Sequence, residues 1–283
     1  MHIKFPTGRE VPDSTLCLIN GNLCFTMSVI IKTPSEIEKL REGGKHLAMV
    51  LAEAAALVRP GISAMELEEL AQKRIKEMGD TPAFLGYKPA GHRTPYPAAL
   101  IVSVNNVVVH GIPTAKIILK EGDVVSLDLG IKHDGLFTDH AVTVPVGDVA
   151  KDKAKLIQVT RESLAVALEA IVPGARTGDI GHAVESFAKK AGKYGVVKAL
   201  AGHGVGRAIH EDPYIPNYGR KGTGELLVPG MVVAIEPMLT LGSDEVIEGS
   251  DGYSMKTVDG SCAAHFEHTI LITETGYEIL TLV

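Results

Sequence analysis

An α+β fold is predicted from three observations: helix-patterned and strand-patterned segments fall in separate blocks, an Asp-Gly pair joins two long β-branched runs, and the two halves carry matching punctuation. With 283 residues, 45% apolar and 22% charged, the chain suits one large or two small domains with an ample core. Gly and Pro together number 45 (30 + 15), far below low-complexity or collagen-like levels. The formal charge is -6 and the pI about 6.0, so there is no overall basic surplus of the kind that marks nucleic-acid binding. Three cysteines, Cys17, Cys24 and Cys262, form no CxxC pair and no disulfide framework, which points to a reducing cytoplasm. No run is long and apolar enough for a signal peptide or membrane anchor.

Taken in order, residues 1–26 show neither a helical nor a strand period and are read as an extension outside the core; residues 27–283 are read as a single domain. Thr33, Pro34 and Glu36 form a cap, a first helical residue and a capping box, and Ile37, Leu40, Leu47, Leu51, Ala54 and Val58 supply one apolar face. A second helix opens with Ser63 and Glu66, buries Leu67, Leu70, Ala71 and Ile75, and stops at Gly79. Strand pattern follows over Ala98–Val104, Val107–His110, Val124–Ile131 and Leu136–Val146. Helical pattern returns over Lys153–Ile171 and Gly178–Ala191, and short strands with Gly-rich loops run to the end.

An internal repeat overlays the halves. Val58-Arg59-Pro60-Gly61 matches Ile171-Val172-Pro173-Gly174 at an offset of 113 (173 - 60), and the segment ending at Asp128 matches the one ending at Glu236 at an offset of 108 (236 - 128). Two similar halves would then contribute matching acids to one cleft.

The hairpin geometry can be worked out from the turn. With Asp134 and Gly135 as turn residues, opposed positions add to 269, so Asp139 faces Gly130 and lies diagonal to Asp128 on the same face. Two carboxylates about 4 Å apart repel by about 4 kcal/mol at an effective dielectric of 20, so an acid pair in so apolar a strand wants a cation or a shared proton. Glu236 and Glu267 also sit in apolar strands. Gly202-His203-Gly204-Val205-Gly206-Arg207 lacks the third glycine of a dinucleotide fingerprint and is no P-loop; its glycines instead leave the backbone room around His203, with His210 seven residues on. Four carboxylates and one imidazole suit Mn(II), Fe(II), Co(II) or Zn(II), and two divalent ions would neutralise the four acids. Such a pair suits metal-assisted amide hydrolysis.

Asp128, Asp139, His203, Glu236 and Glu267, with gaps of 11, 64, 33 and 31, together with Val109-His110-Gly111-Ile112-Pro113, Ile235-Glu236-Pro237 and Phe266-Glu267-His268-Thr269, resemble the ligand set and motifs of the type I methionine aminopeptidases. The resemblance runs from about Met27 to the C-terminus. It implies the pita-bread fold, two pseudo-symmetric halves with antiparallel sheet and outer helices, and a dinuclear metallo-aminopeptidase. In that family's terms Asp128 chelates one ion, His203 and Glu236 the other, and Asp139 and Glu267 bridge; a metal-bridging hydroxide attacks the first peptide bond, with Glu236 also a proton shuttle. His210 would bind the substrate carbonyl and His110 the scissile amide. The implied substrate is the N-terminus of a nascent polypeptide whose initiator methionine is followed by a small residue. The ribosome is a candidate contact, and a monomer with no specific nucleic-acid sequence and no membrane as partner is expected. Phe84 and Ile101 stand where the family often has pocket cysteines, and Phe84, Tyr87, Tyr96, Ile209 and Tyr253 are the expected apolar wall. The link Lys88–Pro95 is longer than usual.

The nearest rival is a prolidase or aminopeptidase P, which would carry a large extra N-terminal domain where this chain has only 127 residues before Asp128. A type II enzyme would carry an insertion between His203 and Glu236. A non-catalytic binding protein on the same fold would have lost ligands, whereas all five are present.

Overall fold

A computed structural model describes residues 17–19, 22–24, 29–89 and 91–283. Most of the extension read over residues 1–26 lies outside the described residues, as do Met27 and Ser28. Within that stretch β1 (Cys17–Ile19) pairs antiparallel with β2 (Asn22–Cys24), where the sequence shows no period; three-residue strands are too short to display one.

The first helix, α1 (Pro34–Leu57), opens on a complete capping box: the Glu36 amide donates to Thr33 Oγ1 at 3.3 Å and the Thr33 amide to Glu36 Oε2 at 2.8 Å. In α2 (Ala64–Glu77) Ser63 and Glu66 repeat the motif, and the chain leaves through Gly79 at φ +80°. A short strand, β3 (Thr81–Pro82), leads to β4 (Leu100–Val104) and β5 (Val107–Val109). The chain enters β4 at Leu100 rather than Ala98, where buried Glu68 accepts the amides of Ala99 and Leu100 at 2.8 and 2.6 Å. At the far side β5 ends before His110, whose φ of +61° breaks the extended run.

The hairpin of β6 (Val124–His133) and β7 (Leu136–Pro145) turns through Asp134 and Gly135 at φ +47° and +90°, and its register pairs Gly130 with Asp139 and Asp128 with Ala141, as the turn residues predict. Central β6 is flanked by β4 and β7, with β3 continuing past β4 on the same edge. Leu47, Leu51, Leu67, Ile75, Leu100, Leu127 and Leu129 form the core between this sheet and the first helix pair.

The second half repeats the plan. Helices α3 (Lys151–Glu169) and α4 (Thr177–Ala191) are followed by β8 (Gly195–Val196), β9 (Ala201–Gly204), β10 (Glu211–Pro216), β11 (Val232–Ile235), β12 (Met238–Thr240), β13 (Val246–Glu248), β14 (Met255–Thr257), β15 (Ala263–His265), β16 (His268–Thr273) and β17 (Gly276–Ile279). The main sheet runs β10-β9-β11-β16-β17, with smaller sheets β15-β12-β8 and β13-β14-β5. Central β11 is flanked by β9 and β16 as β6 is by β4 and β7, and α3 and α4 cover a separate core with Leu156, Ile180, Val233 and Ile270. The backbone also repeats the offsets: Ser63 bridges Ile118 and Arg176 bridges Leu226, shifts of 113 (176 - 63) and 108 (226 - 118). Among the described residues no helix is long and apolar enough to cross a membrane.

Candidate metal centre

The two halves are sewn together at one seam. Ala141 of β7 bridges Glu267, just before β16, with the Glu267 amide donating to the Ala141 carbonyl at 2.9 Å. Two residues along each strand, Thr269 Oγ1 accepts the Asp139 amide at 2.8 Å and donates to the Asp139 carbonyl at 2.7 Å. This stitching brings Asp139 and Glu267 face to face, and the hairpin register adds Asp128 beside Asp139. From the second half, Glu236 follows β11 and its carbonyl accepts Asn217 Nδ2 at 3.0 Å. His203 lies on neighbouring β9: its Nδ1 is 2.9 Å from the Gly204 carbonyl, while Nε2 faces Glu236 Oε1 at 3.6 Å and Asp139 Oδ2 at 4.0 Å. An Nδ1–H donated to that carbonyl leaves the Nε2 lone pair available as a ligand. Asp139, His203 and Glu267 bring ligand atoms within 4.8 Å of one another.

Burial makes this cluster electrostatically incomplete without a cation. Asp128, Asp139 and Glu267 are 7%, 3% and 2% exposed. Burial pushes the Asp128 carboxyl up to about 7, with the Glu236 charge adding to the rise. Burial and then the neighbouring carboxylates push Asp139 and Glu267 well above the ordinary range. Asp128 Oδ1 and Glu267 Oε1 are buried with no hydrogen-bond partner. Native interiors rarely leave carboxylate oxygens so, and metal coordination would satisfy both. The donor set and the orphaned oxygens therefore fit divalent ions.

The remaining residues named from sequence gather around this centre. His210 meets the His203 ring edge-on at 4.5 Å between centroids, and its Nδ1 lies 3.0 Å from the Tyr87 hydroxyl. The left-handed backbone at His110 is costly for a non-glycine residue and is held by its neighbour: Val102 N and Tyr96 Oη both donate to the Gly111 carbonyl at 2.9 Å. Burial lowers the His110 imidazole to about 4, so it is neutral at pH 7. Phe84, Tyr96, Ile101, Ile209 and Tyr253 share one buried apolar cluster, with Tyr87 packed against it. Ile101 stands opposite Asp128 in the β4–β6 register, which sets this apolar cluster beside the acids. Tyr253 also pins the long Lys88–Pro95 link, donating to the Thr94 carbonyl and stacking on His92 at 4.7 Å.

Several residues near the centre were not singled out from sequence. His265 is 1% exposed with Nε2 3.4 Å from Glu236 Oε2; it lies two residues before Glu267, and strand alternation was the signal that could have found it. His140 contacts the Glu267 carbonyl through Nδ1 and stacks on His268 at 4.5 Å. Lys32 forms a buried ion pair with Glu211 at 2.5 Å, and Glu211 also accepts the amides of Arg207 and Ala208, fixing the loop that carries Ile209 and His210. No local spacing betrays a pair 179 residues apart.

Comparison with known proteins gives this arrangement its class. The metallopeptidase family M24 matches residues 38–274, and the chain belongs to that family. More particularly, it is 45% identical over 259 residues to the methionine aminopeptidase of Aquifex aeolicus, covering 90% of this chain and 99% of that protein. The crystal structure of the methionine aminopeptidase of Thermotoga maritima superposes with a TM-score of 0.86 at 46% identity, covering 90% of this chain and all of that one. The prolidase of Pyrococcus furiosus shares the fold at a TM-score of 0.70 and 25% identity, over 66% of its length. The fold is thus the α+β pita-bread fold of this family.

Proposed function

We propose that the chain is a metal-dependent exopeptidase that removes the N-terminal methionine from polypeptides, with two divalent ions held by Asp128, Asp139, His203, Glu236 and Glu267. One observation carries the reading: four carboxylates and an imidazole converge at the seam, with buried oxygens lacking any protein partner, beside an apolar cluster of side chains. The similarity to methionine aminopeptidases supports the substrate. Asp128, Asp139, His203, Glu236 and Glu267 would hold the ions at the seam between the two halves. Ions so bound supply Lewis acidity toward the carbonyl oxygen and acidify water at neutral pH.

The chain's own groups do the rest. The apolar wall of Phe84, Tyr87, Tyr96, Ile101, Ile209 and Tyr253 takes an unbranched, polarisable side chain and excludes water from it. Neutral His110 offers one N–H and one lone pair to the scissile amide, and His210 donates to the carbonyl oxygen as charge develops there. Glu236, partly exposed, carries the proton from the attacking water to the leaving amine. Nascent chains in the cytoplasm, with a small second residue, are the substrates we infer; the ribosome is the contact they imply, the enzyme acts as a monomer, and residues 1–26 lie outside the catalytic unit, residues 27–283.

The test pairs elemental analysis for Mn, Fe, Co and Zn with release of free methionine from a Met-Gly peptide, for the parent and His203→Ala. The variant is expected to lose metal and about 100-fold or more in turnover. Equal turnover in both would overturn the ligand assignment. Cleavage of an Xaa-Pro dipeptide in preference to the Met-Gly peptide would favour the prolidase reading instead.

A further inference from the structure

A second convergence of metal-binding side chains lies away from the seam, where α1, the end of α2 and the tip of the β6–β7 hairpin meet. Asp80, the residue after Gly79, has a side chain 2% exposed, and its two oxygens face two imidazoles: Oδ2 is 2.8 Å from His46 Nδ1 and Oδ1 is 2.6 Å from His133 Nδ1. The two rings stand at 90° with centroids 5.2 Å apart. Among the described residues no lysine or arginine comes within ion-pair distance of Asp80, so a buried carboxylate depends on imidazoles alone. His133 lies five residues (133 - 128) along β6 from Asp128, about 16 Å at about 3.3 Å per residue. The cluster is therefore separate from the seam.

We propose that His46, Asp80 and His133 form a further binding site for a divalent transition metal, with Zn(II) the best match. The three side chains offer ligand atoms within 4.8 Å of one another. Two imidazole nitrogens and one carboxylate are the three-protein-ligand set that zinc accepts with water in the fourth position. The ligands come from three separate parts of the chain, His46 from α1, Asp80 from the link between α2 and β3, and His133 from the end of β6. Gly43 of α1 seats His133, since a Cβ there would lie 2.8 Å from His133 Cβ. Both rings turn the same nitrogen, Nδ1, toward one carboxylate, and Glu42 Oε2 lies 3.6 Å from the opposite nitrogen of His133, where an outer carboxylate orients a ligating imidazole. The imidazole side chains are 25% and 14% exposed, which leaves an ion a path from solvent.

The site has a structural consequence for the pocket. Asp80 immediately precedes β3, which pairs with the end of β6, and Ala83 N donates to the Gly130 carbonyl at 2.9 Å. A metal at Asp80 would tie the start of the pocket-bearing segment 83–96 to α1 and to the hairpin.

The experiment adds Zn(II) to metal-loaded protein and measures bound zinc by equilibrium dialysis, for the parent, His46→Ala/His133→Ala and Asp80→Asn. The parent is expected to bind one more zinc per chain than either variant. Its thermal midpoint should rise by about 5 °C at a hundredfold excess of free zinc over Kd, with the rise lost in the variants. Methionine release should stay within about twofold of the parent in both variants. Equal zinc binding by parent and folded variants would overturn the proposal and leave the trio as a hydrogen-bonded clip. If the variants do not fold, the parent still decides: the imidazole nitrogen resonances of His46 and His133 must shift on zinc addition, and unchanged resonances overturn it.

Discussion

A Cβ built on Gly130 would lie 2.9 Å from Ala83 Cβ, 3.1 Å from Phe84 Cζ and 3.2 Å from Ile209 Cδ1. Gly130 faces Asp139 across the hairpin, so its bare Cα leaves room between the acids and the pocket wall. Gly130→Ala must push Phe84 or Ile209 into the space meant for the substrate side chain. Overpacking of this kind costs about 1–3 kcal/mol in stability. Steady-state kinetics with a methionyl peptide should show KM raised about three- to tenfold with kcat within about twofold, the signature of lost uniform binding. An unchanged KM would mean that Phe84 and Ile209 do not line the binding pocket. At this scale the sequence is most legible where chemistry is out of place. Acids inside β-branched strands, and glycines flanking a histidine, single out Asp128, Asp139, Glu236, Glu267 and His203 as candidates, and the fold gathers them at the seam. Lys32, Glu211 and Asp80 are ordinary charged residues in sequence, and only the fold buries them.

Elements are legible to the extent that their own residues terminate them. Thr33 with Glu36, Ser63 with Glu66, and Asp134-Gly135 specify two helix starts and a turn by local chemistry, and the ten-pair register of β6 and β7 follows from the turn. Where an element is fixed by a distant partner, the sequence misplaces its boundary. The start of β4 is the clearest case, because Glu68 of α2, 2% exposed, accepts the amides of both Ala99 and Leu100. This carboxylate fastens the outer helix to the strand that carries Ile101 opposite Asp128. Glu68→Ala would leave two buried N–H donors without a partner, each costing about 1–3 kcal/mol. Denaturant unfolding should show a loss of about 2–5 kcal/mol, a large share of the stability of a domain. Metal content should be retained in the folded fraction, since the five proposed ligands lie on other elements. A loss below about 0.5 kcal/mol would show that water replaces the carboxylate at no cost.

Across the whole molecule the two halves repeat an outer helix pair over a three-stranded unit, and their buried carboxyl groups meet at the seam. Without a cation, that arrangement couples the stability of the entire fold to pH. Asp128 is pushed up to about 7, mainly by burial, and Asp139 and Glu267 are pushed well up by burial and then by neighbouring carboxylates, Asp128 and Glu236 acting on both. In the unfolded chain carboxyls titrate near 4. Between about pH 4 and 7 the folded, metal-free protein therefore holds protons that the unfolded chain has released. Stability from this cluster is complete below about pH 4 and is lost as pH rises through the folded values. Buried histidines act in the opposite sense: burial lowers His110 to about 4, His140 to about 3 and His268 to about 4, so the unfolded chain takes up protons first as pH falls below about 6.5. The histidines belong to the loaded and the metal-free protein alike, so subtracting the two cancels much of their contribution and isolates the acids. Calorimetry of chelator-treated and Mn(II)-loaded protein should show a gap in thermal midpoint that widens from pH 5.5 to pH 8. Loading near pH 6 should also release protons, because the ions displace them from the carboxyls. Midpoints that run parallel across this range, with no proton release, would show that Asp128, Asp139 and Glu267 are ionised and satisfied without any metal.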